Sequence, residues 1–202
     1  YAQLAYHFGA SQHRGQERHY ARLAGEQASV RFANAEAVSY LTRALELTPA
    51  DAAADRFDLL LSRERVYDLQ GRRDLQRQDV EELEALAAQL ADAARQSEAA
   101  LRRASFLDAT VDYGGVVAAA QGAIAQAQAA GDLVREAGGW RWWGQALWQQ
   151  ANYAAAREKL EHARALAAQS HLAQAPRARQ TEVESLRSLG MVCSEQGDYA
   201  EA

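Results

Sequence analysis

A pattern returning about every forty residues restricts this chain to architectures in which one small unit stacks on the next. Trp140-x2-Trp143-Gly144-x2-Leu147, followed by Tyr153 and Ala156-x3-Leu160-x2-Ala163, recurs as Leu186-x2-Leu189-Gly190-x2-Cys193, followed by Asp198, Tyr199 and Ala202. In both copies the tyrosine stands nine positions after the glycine. Gly25 stands nine before Asn34, which opens Ala37-x3-Leu41-x2-Ala44 and leads to Pro49. Ala104 stands nine before Tyr113, and Glu64 nine before Arg73, with Tyr67 and Gly71 in place. Residues 25, 64, 104, 144 and 190 are therefore equivalent, with steps of 39, 40, 40 and 46; the longest step contains Pro176.

The 202 residues hold two prolines in a text rich in Ala, Leu, Glu, Gln and Arg, the good helix formers, so the chain is predicted to be all-α. Hydrophobic residues at 49% and charged residues at 24% place it outside the disordered class. A net charge of −5 argues against nucleic acid, whose phosphates need clustered Lys and Arg. No apolar run of about 18 residues crosses a membrane. The single cysteine, Cys193, fits a reducing, cytoplasmic setting. The text starts at Tyr1 and stops at Ala202 inside a helical pattern, which we read as part of a longer polypeptide.

These motifs resemble the tetratricopeptide repeat (TPR), W-x2-L-G-x2-Y followed by A-x3-F and a proline, in which each repeat is an antiparallel helix pair. The resemblance implies one right-handed superhelical solenoid over 1–202, of about five units near 15–50, 52–89, 91–130, 132–170 and a truncated 177–202. Helices are predicted at 2–10, 15–31, 34–48, 52–70, 73–89, 91–110, 113–130, 132–150, 153–169 and 177–196, with another starting at 198. Ser170 to Pro176 and Gln196-Gly197-Asp198 read as turns. A small residue at 25, 104, 144 and 190 lets the partner helix approach. Trp140, Trp143 and Leu147 are expected to form one core stripe, and Tyr153, Ala156, Leu160 and Ala163 the facing one. Glu64 replaces the small residue and predicts looser packing. Gly114-Gly115 and Gly138-Gly139, inside helices, predict fraying or a bend.

The opening text, Leu4-Ala5-Tyr6-His7-Phe8 followed by Tyr20-Ala21-Arg22-Leu23-Ala24-Gly25-Glu26-Gln27-Ala28 and Ala35-Glu36-Ala37, resembles the helical arm of large bacterial STAND-type signalling ATPases, including MalT-like regulators. That resemblance implies a sensor holding an ATPase inactive until a ligand or partner binds. The chain contains no G-x-x-x-x-G-K-[ST] loop, and Lys159, its one lysine, stands in a helix without such a loop, so ATP binding is not expected of it.

No catalytic constellation emerges, and no metal or cofactor is implied. His7, His13 and His19 are six apart, which does not bring two imidazoles to one helical face, and His162 and His171 are nine apart. Cys193 falls at the repeat position of Tyr67 and Leu147 and reads as buried. Asp79, Glu81, Glu82 and Glu84, beside Arg72, Arg73 and Arg77, read as a solvated face with ion pairs.

Interaction chemistry is the stronger reading, because the first helices of stacked pairs line a concave groove. Candidate partner-binding residues are Arg141, Gln145, Trp148 and Gln149, with Leu101, Ser105 and Asp108 before them and Arg187, Met191 and Ser194 after. Trp148 lies off the core stripe and offers a flat surface of the kind enriched in binding hot spots; alternatively Trp142 and Trp148 pack against neighbouring repeats. At the positions where a carboxylate-gripping subclass carries basic residues and Asn stand Arg22 with Glu26 and Leu61 with Arg65, so that clamp is disfavoured. The leading function is a noncatalytic protein- or peptide-binding scaffold, the sensor arm of a larger bacterial regulator. The alternatives are a small-molecule effector sensor using Trp148, Arg141 and Gln145, or a structural self-assembly spacer.

Overall fold

Helix ends in this protein recur about every twenty residues, half the sequence repeat. The computed structural model describes residues 1–169 and 176–196, the side chains of 176–178 and 196 excepted. Among these residues are ten helices and no strand: α1 (Ala2–Ala10), α2 (Arg14–Val30), α3 (Asn34–Leu47), α4 (Ala53–Leu69), α5 (Arg73–Leu90), α6 (Ala93–Ala109), α7 (Tyr113–Ala130), α8 (Leu133–Gln149), α9 (Tyr153–Gln169) and α10 (Pro176–Gln196). Each predicted helix is present to within two residues; the predicted start at 198 lies outside the described residues, as do the Gln196 to Asp198 turn and most of the Ser170 to Pro176 turn. No described helix is long and apolar enough to cross a membrane.

The turns share one geometry. A residue with positive φ stands two positions before the next helix starts at Gln12, Phe32, Gly71, Ala91, Val111, Gly131 and Ala151. The connection between α3 and α4 differs: Thr48 is extended and donates its hydroxyl to the Ala44 carbonyl at 2.7 Å before Pro49 stops the helix.

The chain divides into two compact units, Tyr1–Ala91 and Asp92–Ala202. In the first, α2 packs on α3, α4 on α5, α3 on α4, and α1 on α2. In the second, α6 packs on α7, α8 on α9, α7 on α8, and α10 on both α9 and α8. Both units are thus built of helix pairs in series, as the repeat requires.

The seams use the predicted small residues. A Cβ on Gly144 would lie 2.6 Å from Leu160 Cγ and 3.2 Å from the Ala156 carbonyl; one on Gly25 would lie 2.7 Å from Leu41 Cγ. Ala104 closes on Val116 and Ala146. Glu64, instead, is fully buried and accepts a 2.7 Å hydrogen bond from Gln76 Nε2, whose Oε1 accepts from Arg73. This seam is polar, flanked by buried Leu60, Val66, Val80 and Leu83.

Four expectations are corrected. Gly138 and Gly139 neither fray nor break α8: both are buried, and a Cβ on Gly139 would strike Ile124 at 2.6 Å, so the glycine admits α7. Gly114 and Gly115 belong to a capped first turn in which the Gly115 amide donates to Asp112 at 2.9 Å. Trp140 and Trp143 are only partly buried, whereas Leu147, also partly buried, packs against Ala156 and Leu160 as expected. Gly144 is buried against α9 and Ala146 on the opposite side against Ala104 and Val116, while the two indoles stack 5.3 Å apart under the Lys159 ammonium, with His162 edge-on to Trp140. Asp79 is not solvated: it is buried in a two-bonded pair with Arg63, at 2.7 and 3.0 Å, whereas Glu81 remains exposed beside Arg77. On the facing stripe Ala156, Leu160 and Ala163 are buried as expected, as is Cys193. His7 and His13 are exposed, the latter at the start of α2; His171 lies outside the described residues.

Candidate partner-binding face

Within the second unit, the first helix of each pair touches the first helix of the next. The missing side chain at Gly138 leaves room for Leu101 of α6, and Arg135 of α8 donates to Glu98 of α6 at 3.0 Å. Toward α10, Arg141 reaches Glu184 at 3.1 Å, and Ser188 donates to the Gln145 side chain at 3.1 Å. The same helices bury their other flanks: Ser97 donates to the Ala123 carbonyl of α7, and Gly144 meets α9. What faces away from the second helices is therefore a strip of α6, α8 and α10.

Of the predicted residues, Leu101, Arg141 and Gln145 make the contacts between these three helices. Arg141 is the centre of the strip: the guanidinium lies 4.1 Å from the centroid of the Trp142 ring and is held by Glu184. Burial pushes its pKa below the usual range, while the carboxylates of Glu184 and Asp108 oppose that shift. Asp108 is half-buried; burial pushes its carboxyl up, and Arg141 pulls it part of the way back. Ser105 is buried, Leu101 and Met191 are partly buried, and Gln149, Arg187 and Ser194 are exposed.

Of the two readings of Trp148, an indole open to the groove or one packed between repeats, the structure has the second. Trp148 packs with Leu147, Tyr153 and Leu189 against Ala156, Leu160 and Val192, and its Nε1 is buried without a hydrogen-bond acceptor. Trp142 packs against Ala104, Val116 and Ala146. Both rings therefore join repeats together, and the polar groups beside them form the strip. Sequence reasoning missed Glu184 and Ser188. Stepping from Glu98 to Gly138 and on by the longer step of 46 reaches Glu184, so the register carried the signal.

No family model matches the sequence, and no curated protein does. Solved structures do. The crystal structure of BtubC (BKLC) from P. vanneervenii is similar with a TM-score of 0.75 at 16% identity, over 100% of this chain and 80% of that one. The crystal structure of MamA protein is similar with a TM-score of 0.58 at 16% identity, over 93% of this chain and 86% of that one. Together with the Gly25 and Gly144 seams, this likeness gives the fold class: an all-α, TPR-like helical repeat.

Proposed function

We propose that the chain is a noncatalytic scaffold that binds a protein or peptide along the α6, α8 and α10 strip. The observation that supports this most is the fixed presentation of Arg141. A cation on a flexible stem is held over Trp142 by a carboxylate from the next repeat, so little side-chain freedom remains to be lost when a partner arrives. Gln145, four residues on and bonded to Ser188 at 3.1 Å, adds a hydrogen-bonding group to the same helix. Selection of a random peptide library on the immobilised full chain is expected to enrich sequences whose binding falls at least tenfold for Gln145→Arg, which fills the strip. A library that yields no binder contradicts the peptide reading.

The same reading makes the chain the sensor or regulatory arm of a larger cytoplasmic, bacterial signalling protein, on the resemblance of its opening text to MalT-like arms. The full reading frame tests this: a phosphate-binding loop encoded upstream supports it, and a frame without one contradicts it.

A further inference from the structure

In the first unit a cleft opens beside an unusually long connection. Five residues, Thr48 to Ala52, join α3 to α4, whereas two or three join every other successive pair from α1 to α9. The cleft, of about 110 Å³, is lined by Arg18, His19 and Arg22 of α2, by Thr48, and by Asp55 and Leu59 of α4. Leu59 is buried, and Thr48 has given its hydroxyl to the Ala44 carbonyl. The charges are engaged unequally. Arg22 donates from Nε to Glu26 at 2.8 Å, and the carboxylates of Asp58 and Asp55 act on it through space. Arg18 and Asp55, both partly exposed, face each other at 3.5 Å, and no hydrogen bond joins them. Each keeps hydrogen-bonding capacity for a third group.

The mixture of signs decides the class of ligand. A plain anion drawn to Arg18 would meet Glu26, Asp55 and Asp58, and a plain cation drawn to Asp55 would meet Arg18 and Arg22. A molecule with both charges a few atoms apart satisfies both sides, the guanidinium donating to its carboxylate and Asp55 accepting from its ammonium. Size narrows the class further. An apolar cavity of about 150 Å³ admits benzene, so a cleft of about 110 Å³ takes a molecule of a few heavy atoms rather than a peptide. We propose that this cleft binds a free α-amino acid with a small side chain, its carboxylate on Arg18, its ammonium on Asp55 and its side chain beside Leu59. The site lies within the first unit and is independent of the α6, α8 and α10 strip.

A backbone-amide NMR titration of the full chain with each of the twenty free amino acids at neutral pH tests the site. Saturable shifts around Arg18 and Asp55 with at least one of them are expected. Its N-acetyl and carboxamide derivatives, each lacking one of the two charges, should bind at least tenfold more weakly. Arg18→Gln and Asp55→Asn should each weaken binding of the free amino acid at least tenfold, with the melting temperature unchanged. Asp55 also stands in the first turn of α4, so if Asp55→Asn lowers the melting temperature, Arg18→Gln, which leaves α4 intact, decides the matter. No shift in α2 and α4 from any of the twenty at millimolar concentration overturns the proposal. So does a derivative that binds as well as its parent, or binding that Arg18→Gln leaves unchanged.

Discussion

The α8/α9 seam and the α4/α5 seam occupy the same place in the repeat and are closed by opposite chemistry. In the second unit Gly144 lies against Leu160 and Ala156, with no room for a side chain. In the first unit the equivalent residue is Glu64, and the position opposite, Ala156 in the other copy, is Gln76; the two bond at 2.7 Å with no exposed surface. Small against small has become long against long. The repeat therefore dictates the pairing of two positions rather than the identity of either. The units differ in their helix starts as well. Asp92, Asp112 and Asp132 each accept a backbone hydrogen bond at the head of α6, α7 and α8, whereas His13, Ala33, Ala52 and Arg72, heading α2 to α5, provide no side-chain cap.

The largest effect that can break this contrast is Gly144→Leu, expected to cost about 3 kcal/mol by overpacking against Leu160 and the Ala156 backbone. Chemical denaturation measures it, and an unchanged midpoint would reject the seam. Next comes Gln76→Leu, which leaves the buried Glu64 carboxylate without its amide donor and is expected to cost about 2 kcal/mol. Adding Glu64→Ala should return part of that loss, giving a coupling of about 1 kcal/mol in a double-mutant cycle; simple additivity would show that the pair is not a unit.

Caps give smaller effects. Asp92→Ala is expected to cost about 1 kcal/mol at neutral pH, and Arg72→Asp to add up to about 1 kcal/mol by supplying α5 with the cap it lacks. The Arg95 amide, and then its guanidinium, hold the Asp92 carboxyl below its usual range. With the folded value lowered, this contribution is present above the unfolded carboxylate value near about 3.9 and is lost as pH falls through the lowered one. The Asp92→Ala difference should therefore shrink on acidification, and a difference that grows would refute the cap. Val111→Gly should gain about 1 kcal/mol by thermal unfolding, because a β-branched residue at φ 65° is strained where Gly71 and Gly131 are not.

Most of the fold was legible because glycine and alanine at positions 25, 104 and 144 mark close approach, and the Ala-x3-Leu-x2-Ala stripes mark the facing helix. The α4/α5 seam was not legible from Glu64 alone, since a buried carboxylate and a solvated one look alike until Gln76 is counted as its partner twelve positions on. For the same reason Asp79 read as solvated although Arg63 buries it. At the strip, the step of the repeat located Arg141, Gln145 and Asp108. It did not reveal that Trp148 turns into the Leu160 and Val192 cluster, because an indole at helical spacing suits both a groove and a joint between repeats.

The most direct test of the proposed peptide site is a backbone-amide NMR titration of the full chain with a library-selected peptide. Shifts confined to α6, α8 and α10 around Asp108, Arg141 and Gln145 are the predicted result. Shifts centred on α7 and α9, or on the first unit, would contradict the account.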